Sequence, residues 1–209
     1  GVPNETKELM EESINYYRDL DVDWVYIFTA LPLPGTKMFQ QFVANDVMDE
    51  ASFDWDGVRH GKRTFDTEEI TAEELEILTY DTNIELNFFN NSNIRNGRYQ
   101  EAIDIFNYMV LDLFPYQIVA RYCRGVANLH LKKYSEAKKD FEECVLWIRK
   151  NSESKRLFNQ YRSQMPNLDV LLSEDKNASD LSYKFSIKFK HGRSAAGELK
   201  KRGYLQSLI

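Results

Sequence analysis

The sequence predicts a mainly α fold of the α+β type. A β/α remnant comes first, an α-helical hairpin array follows, and a strand lies near the end. Three observations carry this. Residues 5–48 read as helix, apolar strand, Pro-Gly turn and helix. Tyr99-Gln-Glu-Ala102-Ile-Asp-Ile-Phe106 returns as Tyr134-Ser-Glu-Ala137-Lys-Lys-Asp-Phe141, offset by 35 residues throughout. Residues 181–190, LSYKFSIKFK, alternate apolar with Ser or Lys.

In order along the chain, residues 5–20 carry Leu9, Met10, Ile14, Tyr17 and Leu20 near one helical stripe. Thr6 is placed to cap this helix, and Glu8 sits in its first turn. WVYIFT (24–29) is apolar on both faces, as a buried parallel strand would be. Pro34-Gly35 predicts a turn with positive φ at the glycine. Thr36 then caps a helix burying Met38, Phe39, Phe42 and Val43. One parallel strand makes no sheet, so its neighbours are expected upstream of Gly1. Residues 49–66 are irregular. Thr71 and Glu74 form a capping box that opens a helix over about 72–90.

The 35-residue offset is close to the period of helix–turn–helix arrays. The small Ala102, Ala120, Gly125, Ala137 and Cys144 let helices approach closely, and the Tyr and Phe positions fill the space between hairpins. Residues 152–165 continue as a helix that Pro166 ends, and 167–179 read as loop. The strand at 181–190 has lysines guarding its polar face. A short helix is expected at 194–207, interrupted at Gly203. The expected divisions are 1–70, 71–166 and 167–209.

The net charge of −6 hides an asymmetry. Residues 1–90 hold 20 Asp and Glu against 6 Lys and Arg, a net of −14; residues 91–209 hold 13 against 21, a net of +8. Residues 176–209 hold eight Lys and Arg and two acids, and nucleic acid is not the expected partner. No apolar run is long enough to span a bilayer and no leader opens the chain, so the expected location is cytoplasmic, with no membrane partner. His60, His130 and His191 lack ligand partners at helical spacing, and no metal site is expected. The acids at 68, 69, 73, 74 and 76 read as solvated faces rather than a general acid/base pair, so no catalytic residue is assigned. Trp55, Arg59 and His60 belong to a loop that directly follows the β/α elements.

Gly1-Val-Pro-Asn-Glu-Thr6 and Ala30-Leu-Pro-Leu-Pro-Gly-Thr36, with the helix and strand between them, resemble the radical SAM superfamily. The resemblance is to enzymes related to the anaerobic magnesium-protoporphyrin monomethyl ester cyclase. Phe65-Asp-Thr-Glu-Glu-Ile-Thr-Ala-Glu-Glu-Leu75 is similar to the segment after the barrel in that group. The resemblance covers about residues 1–90. It implies the end of a partial (β/α)6 barrel, with Gly1, Val2, Pro3, Ala30, Leu31 and Pro32 lining the mouth near S-adenosylmethionine or substrate. Asn4 stands where the family has Gly, and Asn is the next best residue for a left-handed conformation. The family's C-x-x-x-C-x-x-C loop, which ligates a 4Fe–4S cluster, is absent here. Cys123 and Cys144 read as small core residues. The implied whole is a longer iron–sulfur oxidoreductase whose cluster, S-adenosylmethionine site and, in many members, cobalamin domain lie in an N-terminal part. That part is this chain's expected partner, and no cofactor is expected to bind the chain alone.

The repeat resembles the tetratricopeptide repeat over roughly residues 84–149, with Asn90, Arg121 and Arg124 as departures. That resemblance implies a peptide- or protein-binding face at Asn87, Asn91, Arg95, Tyr122, Val126 and His130. The other functional reading is therefore a non-enzymatic tetratricopeptide-type interaction module.

Overall fold

The structure, a computed structural model, describes residues 1–52 and 63–173. Among the described residues every regular element is helical. In chain order these are α1 (Lys7–Asp19), α2 (Lys37–Ala44), α3 (Ala72–Ile84), α4 (Ser92–Arg95), α5 (Tyr99–Phe106), α6 (Ile118–His130), α7 (Tyr134–Lys150), α8 (Ser152–Tyr161) and α9 (Pro166–Ser173). A π-helical turn, Glu85–Phe89, prolongs α3, and a second, Asn107–Leu111, prolongs α5. The mainly α class stands. The expected strand at 181–190, the helix at 194–207, the basic tail and the Trp55–His60 loop lie outside the described residues.

The chain forms two compact units. The first comprises Gly1–Leu20 and Trp24–Leu86. The second takes Asp21–Asp23 and the described residues from Asn87 onward.

The first unit starts its helices as the residue chemistry requires. Val2-Pro3-Asn4-Glu5 is a turn closed by Glu5 N–H donating to the Val2 carbonyl at 3.1 Å, with Asn4 at φ 62. Leu33-Pro34-Gly35-Thr36 repeats it: Thr36 N–H donates to Leu33 O at 3.1 Å, with Gly35 at φ 84. In both, Pro presets the second position and a residue tolerant of positive φ takes the third. Thr6 and Thr36 then cap α1 and α2 by accepting from Leu9 N and Phe39 N. Thr71 and Glu74 form the reciprocal capping box of α3.

Met10, Ile70 and Leu75 form one core cluster, with Leu78 against it. Phe39 and Phe42 are buried from α2, and Phe65 meets Phe42 edge-on at 5.0 Å. Burying a phenylalanine of this kind stabilises by about 2–3 kcal/mol. The stripe on α1 is buried only at Met10, while Leu9 and Tyr17 remain exposed. Arg18 forks onto Glu85, Nε to Oε1 at 2.7 Å and Nη2 to Oε2 at 2.8 Å, joining the end of α1 to the end of α3.

Two expectations need correction. Residues 24–29 do not form a strand, and they are not buried on both faces. Tyr26 and Phe28 are 63% and 62% exposed and stack at 5.7 Å, whereas Thr29 is buried. An apolar run records no sheet neighbours, and this unit supplies none among the described residues. The second correction concerns Pro166. It opens α9 rather than merely ending α8, because a proline's missing N–H costs nothing at the first helical position. Residues 166–173 are therefore helical where a loop was expected.

In the second unit the 35-residue offset is written into the backbone. Gly97 N–H donates to Ile94 O and Arg98 N–H to Asn93 O; Lys132 N–H donates to Leu129 O and Lys133 N–H to Asn128 O. Gly97 and Lys132 both have positive φ, 75 and 60. Each helix end thus closes with the same left-handed C-terminal motif before α5 or α7 begins. Ala102, Ala137, Phe106 and Phe141 are all essentially inaccessible. Gly125 is required by packing: a Cβ there would lie 2.8 Å from a Phe141 ring carbon and 3.1 Å from Asp140 Cβ.

Candidate functional site

The six residues assigned to a barrel mouth all belong to the first unit. Pro32 is buried, Gly1, Pro3, Ala30 and Leu31 are half-buried, and Val2 is exposed. Gly1 packs so tightly on α3 that a Cβ would stand 2.5 Å from a Leu75 methyl. Beside it lies Arg63, only 6% exposed. Its Nη1 donates to Gly1 O at 3.4 Å and its Nη2 to Ile70 O at 3.0 Å. Its Nε–H has no acceptor among the described residues, and its guanidinium lies 5.2 Å from the Phe65 ring centre. Burial pushes the Arg63 pKa down, with Asp66 opposing the shift.

The segment leading to Ala30 is held by α3. Asn83 Oδ1 accepts from Ile27 N–H at 3.0 Å, and Asn83 Nδ2 donates to Ile27 O at 2.7 Å and to Thr79 O at 2.9 Å. Sequence reasoning missed both Asn83 and Arg63. Asn83 at least stands within a predicted helix, whereas Arg63 stands in the irregular stretch 49–66.

Of the six residues assigned to a partner groove, Asn87, Asn91, Tyr122 and Val126 are buried inside the helical array. They serve packing there. Asn91 caps α4 through its Oδ1, and its Nδ2 donates to Asn87 O and Asp23 O. Tyr122 lies against the Phe141 ring at 5.5 Å, and burial raises its hydroxyl pKa well above the ordinary value. Only Arg95 and His130 of the six are exposed, and His130 stacks on Tyr99 at 4.4 Å.

The departures at Arg121 and Arg124 have a structural cause. Asp140, buried on α7, accepts from Arg124 and from Asn128 Nδ2, while Arg121 pairs with Glu143 and donates to Pro115 O at 2.7 Å. Arg124 also donates to Asn107 Oδ1. A pocket of about 350 Å³ opens nearby, lined by Phe88, Val110, Phe114, Tyr116, Gln117, Glu153 and Leu157. Phe88 and Val110 come from the two π-helical turns, a geometry that widens the helix and recurs at functional positions.

The thiols do not fit an iron–sulfur cluster. Cys123 and Cys144 are buried in the helical core, and desolvation pushes both pKa values upward. Cluster ligation needs accessible thiolates in a group of three or four. Among the described residues no group of three or more His, Cys, Asp or Glu gathers for a metal. No described helix is long and apolar enough to cross a membrane.

Comparison with known proteins gives a narrow result. A 48-residue stretch is 35% identical to an uncharacterised methyltransferase of Pyrococcus horikoshii. The stretch covers 23% of this chain and 10% of that protein. No family model matches the chain, and no solved structure matches it.

Proposed function

We propose that this chain is the C-terminal portion of a radical SAM iron–sulfur oxidoreductase, with a tetratricopeptide-like helical module attached. One observation carries the reading. Two Pro-containing turns, each followed by a Thr-capped helix, flank an extended apolar segment, and Asn4 holds the left-handed conformation (φ 62) that the family's glycine would take. That conformation favours Gly first and Asn next, so the departure at Asn4 preserves the turn. The methyltransferase similarity is compatible with S-adenosylmethionine chemistry. The cluster and the 5′-deoxyadenosyl radical belong to the part of the enzyme that supplies the missing cysteines. In this chain, Gly1–Pro3 and Ala30–Pro32 contribute backbone to the mouth.

The test is the coding sequence ahead of Gly1. A C-x-x-x-C-x-x-C motif there supports the reading, and its absence overturns it. The helical module has its own reading as an interaction surface, favoured by the repeated backbone geometry. With Asn87, Asn91, Tyr122 and Val126 buried, that surface reduces to Arg95 and His130.

A further inference from the structure

We infer that Asn83 is a positioning residue whose carboxamide takes the place of a neighbouring β-strand at Ile27 and so fixes the segment that delivers Ala30, Leu31 and Pro32. The inference rests on the proposed function for its purpose, because that reading puts Ala30–Pro32 at a ligand mouth. Its geometry stands independently.

In an antiparallel sheet a residue exchanges both N–H···O bonds with the residue facing it. Ile27 exchanges both with one side chain. Its N–H donates to Asn83 Oδ1 at 3.0 Å and its carbonyl accepts from Asn83 Nδ2 at 2.7 Å. A carboxamide suits this role, since it presents a donor and an acceptor in one plane, as a peptide does. The orientation of the amide is fixed by the same set. Turned over, its oxygen would face the Ile27 and Thr79 carbonyls and its NH₂ would face an N–H. Two residues on, Thr29 Oγ1 lies 3.4 Å from Thr79 Oγ1. The extended segment is thus fastened to α3 at alternate residues, 27 and 29. Tyr26 and Phe28 are exposed. A slip of one residue would exchange the two sets. Without the amide, the half-buried Ile27 N–H and C=O would lose their partners, which is costly away from water.

Site-resolved amide exchange on the full chain tests the inference. In Asn83→Leu, the Ile27 amide should exchange about tenfold faster, while amides of α6 and α7 keep their wild-type rates. Should Asn83→Leu fail to fold, Asn83→Ser, which cannot bridge both groups, carries the same measurement. An unchanged Ile27 rate in a folded Leu or Ser variant overturns the inference. So does an acceleration spread evenly over both units. These rates are read on the chain itself, so their outcome is separate from that of the upstream coding sequence. If the cysteine motif is absent and the exchange pattern holds, the enzymatic reading falls and the strand substitute stands.

Discussion

Gly97 and Lys132 occupy equivalent positions 35 residues apart, and both have positive φ. Glycine adopts that conformation freely, whereas an L side chain pays about 1 kcal/mol. A Cβ at Gly97 would meet nothing closer than 4.0 Å, so backbone strain alone sets its effect. Lys132→Gly should therefore raise stability by about 0.5–1 kcal/mol, and Gly97→Ala should lower it by about 1 kcal/mol. Urea midpoints check both, with unchanged m-values marking them as changes in stability alone. The pair also shows what a single residue reveals. Asn4 and Gly35 announce their turns because Asn, Gly and the preceding Pro carry the conformation in their own chemistry. Thr6, Thr36 and Thr71 announce helix starts in the same way. Lys132 announces nothing. Its conformation is imposed by the helix end it closes, and only alignment with Gly97 exposes it.

At the scale of elements, the loop Asp21–Asp23 shows how charge fastens a short segment to the helical array. Asp21 accepts from Ser92, from Asn96 Nδ2 at 3.1 Å and from both Nη groups of Arg98. Asp23 Oδ1 accepts from Asn93 Nδ2 at 2.9 Å. Arg98 first, then Ser92, holds the Asp21 pKa down to about 2 from its ordinary 3.8. A carboxyl lowered on folding favours the folded state fully above the unfolded value and loses that contribution as pH falls through the folded one. Attachment of this loop should therefore be intact above about pH 4 and weaken toward pH 2. The side chain is exposed, so added salt should shrink the effect. The Asp21 carboxyl resonance followed by NMR should titrate near 2, and in Arg98→Ala it should move toward 3.8. A midpoint already near 3.8 in the native chain would sink this account. None of these partners was legible in sequence, because Asp21 meets residues more than 70 positions away. The same reason hid the fate of residues 24–29. WVYIF records that the segment is apolar, but pairing depends on a neighbour, and here a side-chain amide supplies the bonds instead.

Across the molecule, the second unit contains both cysteines. Cys144 lies on α7 with its Sγ 3.6 Å from Ile118 O, and Cys123 lies within α6. The sequence assigned them to the core from their repeat positions, and the burial agrees. Because the thiolate is the nucleophile and burial disfavours it, neither thiol should react until the helices open. Labelling by a disulfide reagent at pH 8 should then run at least about a thousandfold slower than in denaturant, since opening draws on much of the unit's stability. The rate should follow that stability. Lys132→Gly should slow labelling by about two- to fivefold, the kinetic equivalent of about 0.5–1 kcal/mol. Met10→Ala, which empties a core position of the first unit, should leave labelling unchanged while amides of α1 and α3 exchange faster. Rapid native-state labelling would show that α6 and α7 open locally. A Met10→Ala effect on the thiols would show that the two cores unfold together, and the unit would then be the whole chain.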